Sequence, residues 1–387
     1  SCGIEFGACT GCAIACGEVR QVLRSRGFAF FDTTTTLERK ELAMDGQATG
    51  GILRFFRDLP DPRAHNVIHK LHDIIVIAVC AVICGADGWA EVAEFGGSKQ
   101  AWFGTFLDLP GGIPSHDTFG RVFARLAPDA FERCFTAWTA ALPAASGGAK
   151  LIAIDGKSIR RSFEHAWDKS GMAHLVSAFV DANHVVFGQV AVAADKGSEI
   201  EAIPQLLALL DLAGATVTVD AIGCQTEVAR QVVEAEGDYV LAVKENQPTL
   251  HRKVKALLDE AILDGGFEGV RHGTVECTDG GHGRVETRRV WVTDEVHWLG
   301  DDLLARWPGL GSVAAVECRR EDLGTGKTST ERRYFISSRK GTDAAAMARA
   351  VRGHWAVENR LHWQLDVSFN EDQRRIRKDH GAENFSR

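Results

Sequence analysis

No apolar run in this chain is long enough to cross a bilayer, which excludes a helical membrane span. The longest, Ile74 to Cys84 (IIVIAVCAVIC), falls well short of the roughly 20 residues a span needs and reads instead as a buried helix. The opening residues show no basic stretch followed by an apolar block, so no secretory signal is expected. An excess of positive charge is also missing. Lys and Arg number 44 against 52 Asp and Glu, a net charge of −8. That excludes a protein whose whole surface is a basic sheath for nucleic acid. It leaves room for local basic patches, of which RRIRK (Arg374 to Lys378) and the stretch from Arg319 to Lys340 are the densest. Internal repeats and low-complexity tracts are absent as well. Six of the ten cysteines are scattered through helix and strand patterns, as in a reduced, cytoplasmic protein.

The other four, Cys2, Cys9, Cys12 and Cys16, include a C-x2-C-x3-C core of the kind that seats zinc or an iron–sulfur cluster. Residues 1–43 show no sustained amphipathic period and contain a TTTT run. The plainer expectation is therefore a non-native or disordered leader, with dense pattern beginning only after Met44. GAENFSR closes the chain without a helix-stop signal, so a further helix is expected beyond it. His65, His69 and His72 lie on an apolar helix with no cysteine partner nearby and read as ordinary helix histidines rather than zinc ligands.

What is present is a change of rhythm near residue 148. From Ile52 to Leu142 the pattern is helical. HKLHDIIVIAVCAVICG is one helix ended by Gly85; Ser115 or Asp117 caps the helix holding FGRVFARL; Pro128 opens another. This makes residues 44–148 an all-α N-terminal domain. LIAID, HLVSAFV, VVFGQVAV, TVTVD and YVLAVK then read as strands, interleaved with helices at IEAIPQLLALLDL, QTEVARQVVEAEG and TLHRKVKALLDEAI. The order β-β-β-α-β-α-β-α is mixed α/β. Residues 265–340 alternate apolar and charged residues (RVETRRVWV, SVAAVECRRE, STERRYFISS), as half-exposed antiparallel strands do. DAAAMARAVRGHWAVENRLHWQLDV follows as one helix.

Three acids stand out in this layout. Asp155 ends LIAID, Asp220 ends TVTVD, and Glu358 sits in HWAVENRLHWQLD. Carboxylate oxygens are hard ligands suited to Mg²⁺, and two such ions can hold the attacking and the leaving oxygen of a phosphoryl transfer. A strand-end aspartate alone is more often a turn former or a helix cap. The surrounding sequence gives these three their weight.

LPDPR (59–63), IPSHDTFGRVFARL (113–126), AIDGKSIRRSF (153–163), VDAIGCQ (219–225), YVLAVKENQPTL (239–250), HGRVETR (282–288) and RGHWAVENRLHWQLDVSFNED (352–372) occur in this order. Together they resemble the DDE-type insertion-sequence transposases, in the branch of the H-repeat-associated proteins, over residues 52–387. The resemblance implies a ribonuclease H-like catalytic domain at 149–387 with a β-rich insertion. In that fold the first and fourth strands are neighbours, so Asp155 and Asp220 would meet although 65 residues apart (220 − 155), and Glu358 would join them after a gap of 138 (358 − 220). It further implies Mg²⁺ or Mn²⁺, two ions held by Asp155, Asp220 and Glu358. The partner would be double-stranded DNA with terminal inverted repeats, and the protein a homodimer in the DNA complex. The broader superfamily often carries Tyr, Arg and Lys around the glutamate, where Val351, His354 and Leu365 stand here.

Candidate DNA contacts are Lys157, Arg160, Lys244, Asn246, Gln247, Arg284 and His354. Each has a plainer reading. Lys157 and Arg160 suit a solvated turn, Asn246 a helix cap, Arg284 a hairpin ion-pair cluster with His282 and Glu286, and His354 packing. The expected activity is strand cleavage and transfer at insertion-sequence ends; the alternative is an inactive DNA-binding remnant.

Overall fold

The computed structural model describes residues 51–64, 67–141, 150–162, 172–180, 185–192, 196–263, 267–281 and 283–386. The leader with Cys2, Cys9, Cys12 and Cys16, the stretch 143–148, His65 and His282 lie outside the described residues. The described chain forms two units. One joins residues 51–141 with 160–162 and 365–386; the other holds 150–159 and 172–364. Among the described residues no helix is long and apolar enough to cross a membrane, and the six described cysteines are free thiols.

The first unit is helical: α1 (Ile52–Phe55), α2 (Leu71–Ile83), α3 (Trp89–Ser98), α4 (Gln100–Phe103), α5 (His116–Arg125) and α6 (Pro128–Ala140). The apolar run that is too short for a membrane is α2, with Ile74, Ile75 and Ile77 fully buried against Phe103, Phe119, Phe123 and Phe131. Gly85, at φ +96°, takes the left-handed conformation that ends the helix. Of the two expected caps for α5, Ser115 is the N-cap, its Oγ accepting from the Thr118 amide at 3.4 Å, while Asp117 sits in the first turn. The far end of α5 is closed from a distance. The Asn384 amide donates to the carbonyls of Phe123 (2.8 Å) and Leu126 (3.0 Å), and Phe385 meets Trp89 edge-on at 4.7 Å. Asn384→Ala removes two buried hydrogen bonds at about 1 kcal/mol each. A loss of roughly 2 kcal/mol in denaturant unfolding is expected, and an unchanged midpoint would refute the role.

The second unit is one nine-stranded sheet in the order β3-β2-β1-β4-β5-β9-β8-β7-β6. Its first half comprises β1 (Leu151–Ser158), β2 (His174–Val180), β3 (Val185–Val192), β4 (Thr216–Val219) and β5 (Asp238–Val243). β1, β2 and β3 form an antiparallel meander, and β4 then enters parallel to β1 with β5 parallel to β4. This is the ribonuclease H-like arrangement. β6 (His272–Gly281), β7 (Arg284–Thr293), β8 (Ser312–Asp322) and β9 (Thr328–Ser337) supply the insertion. They do not stand apart from the core. β9 pairs antiparallel with β5 from Val240↔Ser337 to Val243↔Tyr334, so core and insertion share one sheet.

Alternation along the strands decides which helix each residue meets. Ile152, Ile154, Val217 and Val219 pack with α7 (Lys196–Leu207), α8 (Thr226–Glu234) and α9 (Pro248–Leu263) in the main core. A short α10 (Asp301–Arg306) joins them through Leu303. The opposite face carries Ala153 and Val240 and is covered by α11 (Ala344–Ala356). Asp155, two residues on from Ala153, therefore belongs to the α11 face, as Asp220 does after Thr218. The single helix expected around Glu358 is three pieces. α11 runs into a π-helical segment, Val357–His362, and then into α12 (Trp363–Val367). α13 (Gly381–Phe385) ends the described chain.

Candidate active site

The strand expected to end at Asp155 runs past it to Ser158, paired with β2 throughout. The parallel pairing Ile154↔Val219 brings Asp155, within β1, and Asp220, just after β4, to matching positions on adjacent strands. Each carboxylate is held by backbone amides. Asp155 Oδ1 accepts from Gly156 at 2.9 Å. Asp220 Oδ1 accepts from Ile222 at 2.9 Å and Gly223 at 3.3 Å, closing a tight turn after β4. Gly223 is required there, because a Cβ would come within 2.1 Å of Val219 Cγ1. Two side chains from the β5–α9 connection brace the same turn. Asn246 donates to the Ala221 carbonyl at 2.5 Å, and Gln247 donates to the Cys224 carbonyl at 2.9 Å.

Glu358 is exposed in the first turn of the π-helical segment. Such wide turns are rare inside helices and recur at functional sites, where the extra residue re-aims a side chain. Val357, beside it, is fully buried against Ala153 and Phe179 and anchors the turn over β1. Burial pushes Asp155 up to about 7, and the negative charges of Asp220, Glu358 and Glu199 add to the rise against the pull of the Gly156 amide. Asp220 and Glu358 thus each lie within electrostatic reach of Asp155. Among the described residues no group of three or more His, Cys, Asp or Glu side chains is placed to hold a metal ion. The three carboxylates fit a divalent cation of the Mg²⁺ type in the chemistry of their hard oxygens.

Sequence reading passed over three neighbours of this cluster. His362 Nδ1 stands 3.7 Å from Asp155 Oδ2. Glu199, at the start of α7, pairs with His174 Nε2 at 2.7 Å, and His174 Nδ1 meets Ser158 Oγ at 2.9 Å. A Cβ on Gly156 would lie 2.7 Å from Glu199 Oε1, so only glycine lets this pair sit against β1. An acid opening the crossover helix was the available signal for Glu199. His362 lay in the HWAVENRLHW motif already singled out.

The candidate DNA contacts scatter. Lys157 is half-buried on β1. Arg160 falls in the helical unit, its side chain 76% exposed and 3.4 Å from Asp372. Lys244 is exposed, while Asn246 and Gln247 are engaged with the Asp220 turn rather than capping a helix. Arg284 is exposed at the outer end of β7. His354 is packed under the sheet, its Nδ1 3.2 Å from Thr218 Oγ1, and burial holds it below the usual histidine range although Asp220 pulls the other way. Within RRIRK, Arg375 and Lys378 are exposed but Arg374 is not. Arg374 is 8% exposed, donates to the Phe369 carbonyl at 2.9 Å and stacks over Phe385 at 4.5 Å.

Comparison with known proteins gives this geometry a family. Residues 146–386 match the transposase DDE domain, and residues 53–139 match the domain associated with it. The chain belongs to the DDE transposase family. Within it, the relatives place the chain in the H-repeat-associated branch. A putative transposase of Escherichia coli O157:H7, YncI, is 40% identical over 87% of this chain and 84% of its own length. The H repeat-associated putative transposase YhhI of Escherichia coli K12 is 38% identical over 85% of each. An uncharacterized protein from the dhlA 3′ region of Xanthobacter autotrophicus reaches 47% over 73% of this chain and 93% of its own length. The family also includes an Escherichia coli K12 protein named an inactive transposase, YbfQ, 43% identical over 67 residues.

Proposed function

We propose that the protein cleaves DNA at the ends of its insertion sequence and joins them to a target, using Asp155, Asp220 and Glu358 to hold one or two Mg²⁺ or Mn²⁺ ions. The observation that carries this reading is that Asp155, within β1, and Asp220, just after β4, stand at matching positions of adjoining parallel strands, on the sheet face that the Glu358 turn covers. When bound, the ions activate a water or a 3′-hydroxyl for attack and stabilise charge on the departing 3′ oxygen. The chain does the rest. Backbone amides of Gly156, Ile222 and Gly223 fix the two aspartates before any ligand arrives. Asn246 and Gln247 keep the Asp220 turn from shifting. His362 stands beside Asp155, while His354 ties α11 to β4 through Thr218. Joining two DNA ends calls for two protomers, so the assembled complex is a homodimer on terminal inverted repeats.

The test is cleavage of a labelled duplex carrying the ends of the element that encodes the chain, with Mg²⁺ or with EDTA, by wild type and Glu358→Gln. Nicking at the element ends that needs both the metal and Glu358 is the expected result. Binding with no metal-dependent nicking by the wild-type chain would point to a DNA-binding remnant instead.

A further inference from the structure

The charge that the whole chain lacks is concentrated in one place. A groove of about 820 Å³ runs between α11 and the outward part of the insertion sheet. Across β6, β7 and β8 the register sets Asp279, Glu286 and Arg320 in one row and Cys277, Arg288 and Cys318 in the next, so these side chains share the face that α11 covers. Deeper rows are apolar, Val275, Val290 and Val316, and form the floor against α11. Seven arginines line the groove against two glutamates, Glu286 and Glu331. The chain as a whole is at −8.

Ion pairing inside the groove engages some of these arginines and leaves Arg349 without a partner among the described residues. Glu286 is shared by Arg288 (2.7 Å) and Arg320 (3.1 Å). Asp279, at the rim, is shared by Arg288 (2.7 Å) and Arg352. Glu331 pairs with Arg333 at 2.8 Å. These pairs engage Arg288, Arg320, Arg333 and Arg352, while Arg339 donates to Thr216 Oγ1 at 3.0 Å. Arg349, exposed on α11, has no hydrogen-bond or ion-pair partner among the described residues. Arg333 lies over the Trp355 ring at 4.7 Å, which fixes its guanidinium at the groove wall. Planar, permanently charged forks held in place beside an apolar floor are suited to phosphate oxygens. The groove ends at Asn359 and Arg360, directly after Glu358 in the π-helical turn.

We infer that this groove holds the phosphodiester backbone of the DNA strand as it leaves the acid cluster. The inference rests on the DNA reading proposed above, and it assigns the contact to Arg349, Arg352, Arg333 and Arg320. A chain of phosphates, unlike a single small anion, spreads its charge along the groove from Glu358 outward. Contacts of this kind are made to the backbone and carry no base preference.

The experiment is equilibrium binding of the full-length chain to a fluorescein-labelled DNA duplex of arbitrary sequence, in Ca²⁺ to hold off cleavage, over a series of salt concentrations. Wild type is compared with Arg349→Gln, Arg349→Lys and the double variant Arg349→Gln/Arg352→Gln. Each neutralised arginine is expected to lower affinity several-fold at low salt and to reduce the slope of log affinity against log salt by about one. Arg349→Lys, which keeps the charge, is expected to retain that slope. Because Arg349 is exposed and unpaired, thermal midpoints should match wild type. A double variant that melts like wild type and binds with unchanged affinity and slope overturns the inference, as does a wild-type chain that does not bind the duplex. Wild-type cleavage dependent on Glu358 alongside unaffected variants would remove the groove and leave the proposed function standing. Weakened binding by the variants without any metal-dependent cleavage would do the reverse.

Discussion

Asp155→Asn is expected to make the metal-free protein more stable at pH 8 while abolishing cleavage. The ordinary value for this carboxyl is 3.8, and in the folded chain burial, with the surrounding carboxylates, raises it to about 7. Between those values the folded chain binds a proton that the unfolded chain has released. Stability therefore falls as pH rises through that window, and the full cost is present above pH 7. At about 1.4 kcal/mol per pH unit the cost is on the order of 4 kcal/mol at most. Asparagine has nearly the same shape and no charge to desolvate, so it removes that cost. Wild type and variant should melt alike near pH 4, and the variant should melt higher at pH 8. Added Mg²⁺ should then raise the wild-type midpoint by mass action and leave the variant unmoved. A variant less stable than wild type at pH 8 without metal would show that the buried Asp155 carboxylate carries no such cost.

Gly353→Val is expected to cost both stability and activity, and Gly353→Ala far less of either. Gly353 is the point at which α11 lies against β1. A Cβ there would stand 2.0 Å from Leu151 Cδ2 and 3.4 Å from Leu151 Cγ. Leu151 can turn its terminal methyl away from an alanine, so that contact gives. Valine adds two γ-methyls on a stiff χ1, and the helix itself must move. Overpacking of this kind costs about 1–3 kcal/mol. The larger effect is on alignment, since the displaced helix carries Glu358 one turn further on. A shift of about 1 Å in a reacting geometry costs roughly 100-fold in rate. Single-turnover cleavage by the two variants reads the difference, and equal activity of Ala and Val variants would show that α11 does not set the position of Glu358.

Much of this was legible before any coordinates. LIAID and TVTVD announce buried strands because apolar β-branched residues run unbroken up to an aspartate, and both helices around Gly85 and Pro128 carry their stop and start residues in plain view. The neighbourhood of β1 and β4 was not in the spacing; it came from resemblance and stands in the strand register. What sequence hid has physical reasons. β6 (HGTVECTDGG) is an edge strand with mostly exposed side chains, so it lacks the alternation that marks a half-buried strand. The π-helical turn at Glu358 keeps the composition of a helix and changes only its winding. Arg374 reads as surface charge in RRIRK because nothing local shows that Phe369 and Phe385 will enclose it. The arginine groove needed the register of β6, β7 and β8, since its members are spread over residues 288–360 and scarcely cluster along the chain.

The joint between β5 and β9 has a mechanical meaning. An insertion hung on two flexible loops would act as a tethered arm, free to swing onto a substrate and off again. Here the four residue pairs from Val240↔Ser337 to Val243↔Tyr334 weld it to the core, with the Ser337 hydroxyl donating to the Tyr239 carbonyl at 2.7 Å as an extra rivet. Swinging the arm would mean tearing those rungs, so the distance from the acids to the far end of the groove is that of a ruler rather than a leash. A duplex meeting such a surface must supply the compliance itself, and sequences that bend or open easily at the cut would be the cheaper ones to seat.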